Sequence, residues 1–477
     1  MRSQQRQESL TRSVRDGAAH AVTLGAGEMY LVPFAIFLGA GNLLVAMLSS
    51  APLLLGAVAQ LVSARALDQT KSRRGLSVVP AVLQGLWLLP IAALPWVAPE
   101  RPALWLLALA LGYHVCAGLV VPAWNSWIAE LVPPWQRGAF FGRRNRVRTA
   151  VEFSCALAAG GLLALFRGLS MEAFGFLIIF AVAALARLAS AREIHAMYEP
   201  PYQRPPASAA FTFRQFLYRS PRANFGRFTI YVALFLAATH VASPFFTPFM
   251  LRDLGFGYGA FTLASVTFIA AQAVMMQAWG RVGDRFGNRR VLKITGFTVP
   301  ILPILWVFAT NLPAVLVLQT VAGLLWGGFH LAVANFLFDT VTPEKRARCV
   351  AYYNTVTNAG LFVGATAGGL LATVLPDQAE LESLGLPLVS GLQLVFVASG
   401  LLRLLATLAL LPLVREVRPV EPGGMRAVVM QIVGQTPLRG ARWSVFGGAD
   451  ASERETEPAP PVEEREGETP SGESGPN

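Results

Sequence analysis

Apolar residues fall in twelve long blocks along this chain, separated by short polar or charged segments. The blocks cover roughly 21–40, 42–64, 76–98, 102–131, 146–166, 172–190, 227–250, 258–279, 291–309, 313–339, 350–375 and 388–413. Each is about 18 residues or longer, enough for a helix to cross a bilayer's hydrocarbon core. Several contain Pro or paired Gly, which membrane helices tolerate better than soluble ones because neighbouring helices re-satisfy the freed backbone groups. The pattern predicts an all-α membrane protein with 12 transmembrane helices.

Composition agrees. Of 477 residues, 54% are hydrophobic and only 14% charged, where a soluble globule carries about 25%. The net charge of +11 raises the question of nucleic acid, and the distribution of the charge answers it. Basic residues sit in alternate connections: Arg65, Lys71, Arg73 and Arg74 after block 2, Arg137, Arg143, Arg144, Arg146 and Arg148 after block 4, and Arg281 to Lys293 after block 8. The opposite connections hold only Arg101, Arg167 and Arg252. Basic loops stay on the cytoplasmic side, so both termini are expected there, in a multi-pass protein of the cytoplasmic (inner) membrane. No basic surface is left over for nucleic acid. Residues 1–20 are polar and carry no cleavable signal pattern. Cys116, Cys155 and Cys349 are isolated within apolar blocks, without metal spacing, and read as packing residues.

The chain repeats itself. Asp68-x4-Arg73-Arg74 returns as Asp284-x4-Arg289-Arg290, and Glu130-Leu-Val-Pro-Pro134-x2-Arg137 as Asp339-Thr-Val-Thr-Pro343-x2-Arg346. Asn145 returns as Asn354, and Phe180 with Arg187 as Phe396 with Arg403. Two halves of one six-helix design follow. Between blocks 8 and 9 stands Gly280-Arg-Val-Gly-Asp284-Arg285-Phe-Gly287-Asn-Arg289-Arg290. Glycines suit a sharp turn, and one carboxylate among arginines suits a charge-assisted clamp. This segment resembles the signature loop G-x-x-x-D-R-x-G-R-[RK] of the major facilitator superfamily. Asn288 departs from it, and the first copy is degenerate, with Ala64 and Thr70 near the glycine positions.

The resemblance spans about residues 20–415 and implies a transporter of the prokaryotic twelve-helix kind, with two pseudo-symmetric six-helix bundles. Expected divisions are an N-terminal cytoplasmic segment 1–20, a first bundle 21–190, a cytoplasmic linker 191–226, a second bundle 227–413 and a cytoplasmic tail 414–477. The tail from Asp450 holds nine acidic residues and two Arg among Pro, Gly and Ser and is expected to be disordered. In the linker, Phe211 to Arg219 mixes aromatics with arginine, as a short helix on the anionic leaflet or a partly solvated connection would. The resemblance also implies a conformational latch of Asp68, Arg73, Arg74, Glu130, Gly280, Asp284, Arg285, Gly287, Arg289, Arg290, Asp339 and Arg346. In it Asp284 faces the start of span 5, Asp68 the start of span 11, and Glu130 and Asp339 take Arg from the loop of their own half.

In this superfamily spans 1, 4, 7 and 10 line the central cavity. Here they carry Glu28, His114, His240 and His330, and ionisable groups at membrane depth are functional suspects. Histidine suits proton coupling, because it changes charge near neutral pH. Helical spacing puts Thr229, His240, Ser243 and Thr247 on one face of span 7, Gln319, Trp326 and His330 on one face of span 10, and His114 with Asn125 on one face of span 4. The expected substrate or proton pathway is Glu28, His114, Asn125, His240, Gln319, Trp326 and His330. The alternative for each histidine is an interhelical hydrogen bond and packing alone. Glu152 is one turn from Arg148 and reads as a structural ion pair. Arg187 is near enough to the edge to snorkel, while Arg403 lies deeper. Asn354 and Asn358 are expected to bond to neighbouring helices, and Gly364-x3-Gly368 to mark close packing.

Some family motifs are absent. Where proton-linked drug antiporters carry R-x-x-x-G in span 4, this chain has Ala110 and His114. Span 5 lacks the antiporter G-P motif, and P-E-S-P-R of sugar porters is missing after span 6. Three readings stand: a secondary active transporter of a small organic solute, coupled to protons by symport or antiport; an uncoupled facilitator; and a membrane sensor or scaffold that kept the fold. No nucleotide-binding loop or metal cluster is visible, so no enzyme activity, cofactor or metal is expected, and the chain is expected to be a monomer in the lipid bilayer.

Overall fold

The computed structural model describes residues 2–97, 100–133, 136–201, 213–219, 222–341, 346–376, 378–383, 388–417 and 420. Among them, twelve helical segments are long and apolar enough to cross a membrane. They are α1 (Gln4–Phe37), α2 (Asn42–Thr70), α3 (Arg73–Val97), α4 (Pro102–Leu131), α5 (Phe140–Gly168), α6 (Glu172–His195), α7 (Asn224–Asp253), α8 (Tyr258–Phe286), α9 (Asn288–Phe308), α10 (Leu312–Asp339), α11 (Cys349–Val374) and α12 (Leu392–Leu413). A short linker helix, Phe213–Arg219, precedes α7. The acidic tail lies outside the described residues.

Helices run past the apolar blocks, because backbone bonding continues through polar residues once a helix is nucleated. The largest departure is at the start. The first helix begins at Arg2, and Ser9, Ser13 and Asp16 are buried within the bundle, so residues 2–20 continue into the first long helix rather than forming a separate polar segment. The signature segment is likewise helical: α8 continues to Phe286, and the turn is confined to Gly287, at φ +89°. Gly280 therefore sits inside a helix and makes no turn.

Two helices break at equivalent depths. The first rod gives way to a π turn at Thr23–Gly27 and a 3-10 turn at Glu28–Tyr30 before resuming. Gly25 in this break lies directly on α5, where a Cβ would meet the Glu152 carbonyl. α7 breaks after His240, with a 3-10 turn at Ser243–Phe245 and a π turn at Phe249–Asp253. Pro244 and Pro248 lack the N–H a regular helix needs. The expected single face of Thr229, His240, Ser243 and Thr247 therefore does not exist, since the 100° step ends at the break.

Inside lipid, apolar burial gives helices no net attraction, so close contact and polar bonds hold the bundle. Cβ atoms at Gly364 and Gly368 would overlap the carbonyl oxygens of Ala237 and Val241, so α11 lies directly on α7. Aromatic packing repeats in the halves: Phe34 meets Phe176 at 4.8 Å and Phe180 at 5.1 Å, and Phe246 meets Phe396 at 4.6 Å. Asn358 donates to the Asn354 carbonyl of its own helix at 2.7 Å, a turn-to-turn bond in place of the expected bond to a neighbour.

Candidate functional site

Glu28 stands at the break in α1 and faces two cavities. The first, about 880 Å³, lies between the halves. Its lining includes Glu28 and Met29 of α1, Arg148 and Glu152 of α5, Thr247 of α7, Gln272 of α8 and Gln319 of α10. Phe153, Phe261, Phe268 and Met276 supply apolar wall. A few polar groups in an apolar cleft of this size suit a small organic ligand. The second cavity, about 280 Å³, lies within the first bundle.

The carboxylate of Glu28 accepts from Tyr113 Oη at 3.3 Å and lies 3.7 Å from His114 Nε2. The other ring nitrogen of His114 is 3.0 Å from the Ala110 carbonyl. Thus Ala110 and His114, which replace the antiporter R-x-x-x-G residues, together orient an imidazole onto Glu28. Asn125 lines the second cavity. His330 is bonded at 2.8 Å to Gln272, which lines the first cavity, and packs on Trp326 at 5.1 Å. His240 and Trp326 are not among the described residues lining that cavity; His240 Nδ1 is buried without a hydrogen-bond partner. The structure thus brings Glu28 to His114 and Gln319 to the shared cavity, but not the three histidines to one another.

A buried ionic network around the second cavity escaped the sequence reading. Asp16 Oδ1 accepts from Ser190 Oγ at 2.7 Å, and Oδ2 pairs with Arg144 at 3.3 Å. Arg187 donates to Gln84 at 2.7 Å and to Ser190 at 2.7 Å. Arg187 is only 3% exposed, so it does not snorkel: Gln84 and Ser190 hold it inside. Its counterpart Arg403 bonds Ser399 at 3.1 Å. The missed signal was Asp16 and His20, one helical turn apart at the entrance of block 1, which polarity alone had assigned to a tail. Arg148 and Glu152 do pair, at 3.7 Å.

At the end carrying Arg73 and Arg289, here the basic end, Arg73 forms an ion pair with Glu130 and donates to Ser126 at 3.3 Å. Asp339 accepts from Asn288 at 3.0 Å. Glu199 accepts from the backbone N–H of Arg73 at 2.6 Å, and Glu416 from that of Arg289 at 2.8 Å. Arg285 and Arg290 flank the Phe286 ring at 5.3 and 5.7 Å. The side chain of Arg346 lies outside the described residues. At the opposite end the halves meet. Tyr30 and Thr262 hydroxyls are 2.8 Å apart, Tyr258 donates to Glu172 at 3.0 Å, and Arg252 donates to Asn42 at 3.1 Å.

Residues 228–449 match the family model of the Major Facilitator Superfamily. Efflux pump azaK of Aspergillus niger is 28% identical over 119 residues, 25% of each chain. Multidrug resistance protein MdtG of Escherichia fergusonii is 33% identical over 143 residues, 28% of this chain and 34% of that protein. The chain thus spans about a quarter to a third of the length of these curated relatives. Among solved structures, an inward-facing bacterial homologue of the human lysosomal transporter Spinster has a TM-score of 0.65 at 14% identity, covering 86% of this chain and 96% of that one. The D-xylose-proton symporter has a TM-score of 0.63 at 13% identity, covering 87% and 99%. These two likenesses are of fold alone. Residues 228–449 thus match the sequence pattern of the major facilitator superfamily, and the chain shares the fold of these two solved transporters.

Proposed function

We propose that this protein is a secondary active transporter that moves a small organic solute across the cytoplasmic membrane by alternating access, coupled to protons. The Glu28–His114 pair carries the reading. His114 Nδ1 faces a carbonyl, which accepts only, so that nitrogen bears the hydrogen. In the neutral ring Nε2 then presents a lone pair to the Glu28 carboxylate 3.7 Å away, and the two repel. A proton on either group relieves the repulsion, so the pair is built to hold one. Glu28 also lines the solute cavity, so proton and solute act on one side chain.

Basic connections are cytoplasmic in this reading, and the contacts at the opposite end close the outer side. The solute enters between the halves and is held by Gln319, Gln272 and the aromatic wall. His240 and His330 serve packing or relay rather than direct capture. The residues gathered at the basic end latch the halves when the inner side closes, Asp284 acting at a helix N-terminus. The names of the relatives favour drug-like efflux substrates. The test is solute flux in proteoliposomes with and without a pH gradient. Glu28→Gln should abolish proton-driven accumulation and spare solute exchange. If Glu28→Gln accumulates solute as the parent does, coupling at Glu28 is wrong; if neither responds to the gradient, the protein is a facilitator.

A further inference from the structure

The small chamber inside the first bundle holds several hydrogen-bond donors without partners, while the Glu28 carboxylate in its wall already meets Tyr113 and His114. Both Asp16 oxygens are taken, one by Ser190 and one by Arg144. The Gln84 carbonyl is taken by Arg187. On the donor side, Arg144 uses Nε on the Ser13 carbonyl at 3.1 Å and Nη2 on Asp16, which leaves Nη1. Arg187 uses Nε and Nη1, which leaves Nη2. Trp124 stacks on the Arg144 guanidinium at 4.3 Å, and its indole N–H is buried without a partner. His20 Nδ1 is buried and unpartnered as well. Asp16, His20, Gln84, Trp124, Arg144 and Arg187 all line the same 280 Å³ space.

An indole N–H can only donate, and a guanidinium can only donate. Leaving such groups unmet in a buried site costs free energy. The group that would satisfy them is an acceptor with negative charge. Arginine nitrogens favour a carboxylate, whose two oxygens match paired N–H groups.

We infer that this chamber binds a small carboxylate-class anion, held by Arg144, Arg187 and the Trp124 N–H, with Asp16 fixing the Arg144 guanidinium directly and that of Arg187 through Ser190. The anion is either a free ion or the carboxylate of the transported solute. The site rests on its own geometry; only the second source depends on the transport reading. Its opening passes exposed Val121 and Asn125, and Glu28 closes the wall shared with the larger cavity.

The test is thermal unfolding of the purified full-length chain in detergent, titrated with sodium formate. The parent should show a saturable rise in Tm. Trp124→Phe keeps an aromatic face for Arg144 but removes the N–H, and should weaken the apparent affinity about tenfold. Asp16→Asn removes the competing charge and should tighten binding if it folds, the opposite of what a cation site would do. A formate response that is non-saturable and equal in the parent and Trp124→Phe is a general salt effect and overturns the proposal. So does a parent with no response, which leaves the chamber to water. Proteoliposome flux of labelled formate separates the sources: movement with the solute cycle assigns the carboxylate to the substrate, and stabilisation without flux assigns it to a resident ion. Loss of proton coupling in Glu28→Gln with an intact formate response would sink neither the site nor its chemistry.

Discussion

Glu199 and Glu416 hold equivalent places in the two halves, each with a carboxylate oxygen on a backbone N–H in the first turn of a helix. Glu199 reaches Arg73 at 2.6 Å and Arg74 at 3.1 Å, and Glu416 reaches Arg289 at 2.8 Å. Helix N-termini leave unsatisfied N–H groups and a partial positive charge, so a carboxylate there both bonds and neutralises. These two side chains tie the end of each bundle to the start of its third helix.

Removing that charge should loosen the basic end. Glu199→Gln and Glu416→Gln are each expected to cost about 1 kcal/mol, the scale of a lost charged cap. Because the two sites lie in different halves, their effects should add in the double variant. Thermal unfolding in detergent measures this, and an unchanged Tm in both single variants would reject the capping role.

Gly287 and Lys71 make a second pair. Gly287 has φ +89°, and a Cβ there would meet Glu416 Oε2 at 2.5 Å. Lys71 occupies the same turn of the first half at φ +55°, a left-handed conformation that costs a side-chain-bearing residue about 1 kcal/mol. Opposite outcomes follow. Lys71→Gly should raise stability by roughly 0.5–1 kcal/mol, and Gly287→Ala should lower it and loosen the contact of Glu416 with Arg289. A neutral or destabilising Lys71→Gly, read by Tm, would contradict this.

The same turn shows what the sequence makes legible and what it does not. Period, charge asymmetry and repeats were enough for twelve helices in two halves, because membrane solvent demands long apolar helices and sorts charge by side. Glu28, His114 and Gln319 followed from depth and composition. Lys71 did not, since nothing in its chemistry announces a positive φ, and the glycine equivalents were sought at Ala64 and Thr70 instead. The Asp16–Ser190–Arg187–Gln84 network was invisible for another reason. It joins α1, α3 and α6 across long separations, and polarity near an end reads as exposure unless the partners are known. Ser243 and Thr247 were misplaced relative to Thr229 and His240 by the helix break, which shifts every residue after it.

Close packing of α7 on α11 gives a sharp comparison among glycines. Gly364→Val would drive a side chain into the Ala237 carbonyl, whereas Gly161 has open space around its Cβ position. Gly364→Val should abolish stable folding, or lower Tm strongly, through overpacking. Gly161→Ala should be neutral or slightly stabilising, because alanine is the better helix former. Equal yields and melting temperatures for the two would show that the α7–α11 contact yields more easily than its geometry allows.

In the proposed alternating-access cycle, the contacts at the opposite end are the gate whose opening can be measured. Tyr258 donates to Glu172 at 3.0 Å, and Arg167 pairs with Glu172 at 3.5 Å while lying 5.5 Å over the Tyr258 ring. Arg167 also donates to the Phe256 carbonyl at 3.4 Å. One carboxylate thus joins α5 and α6 of the first half to α8 of the second. Opening this end must break those bonds, and closing the basic end must make others, so the balance of states depends on their difference. Tyr258→Phe removes one neutral-to-charged hydrogen bond across the halves, worth about 1.5–3 kcal/mol. The population open at this end should rise by tenfold or more. Glu172→Gln should act in the same direction by also releasing Arg167. Spin-label distances between α5 and α8 at this end would report the change. Unaltered distance distributions in both variants would mean that these residues pack the gate without holding it, and that Tyr30, Thr262, Asn42 and Arg252 bear the closure.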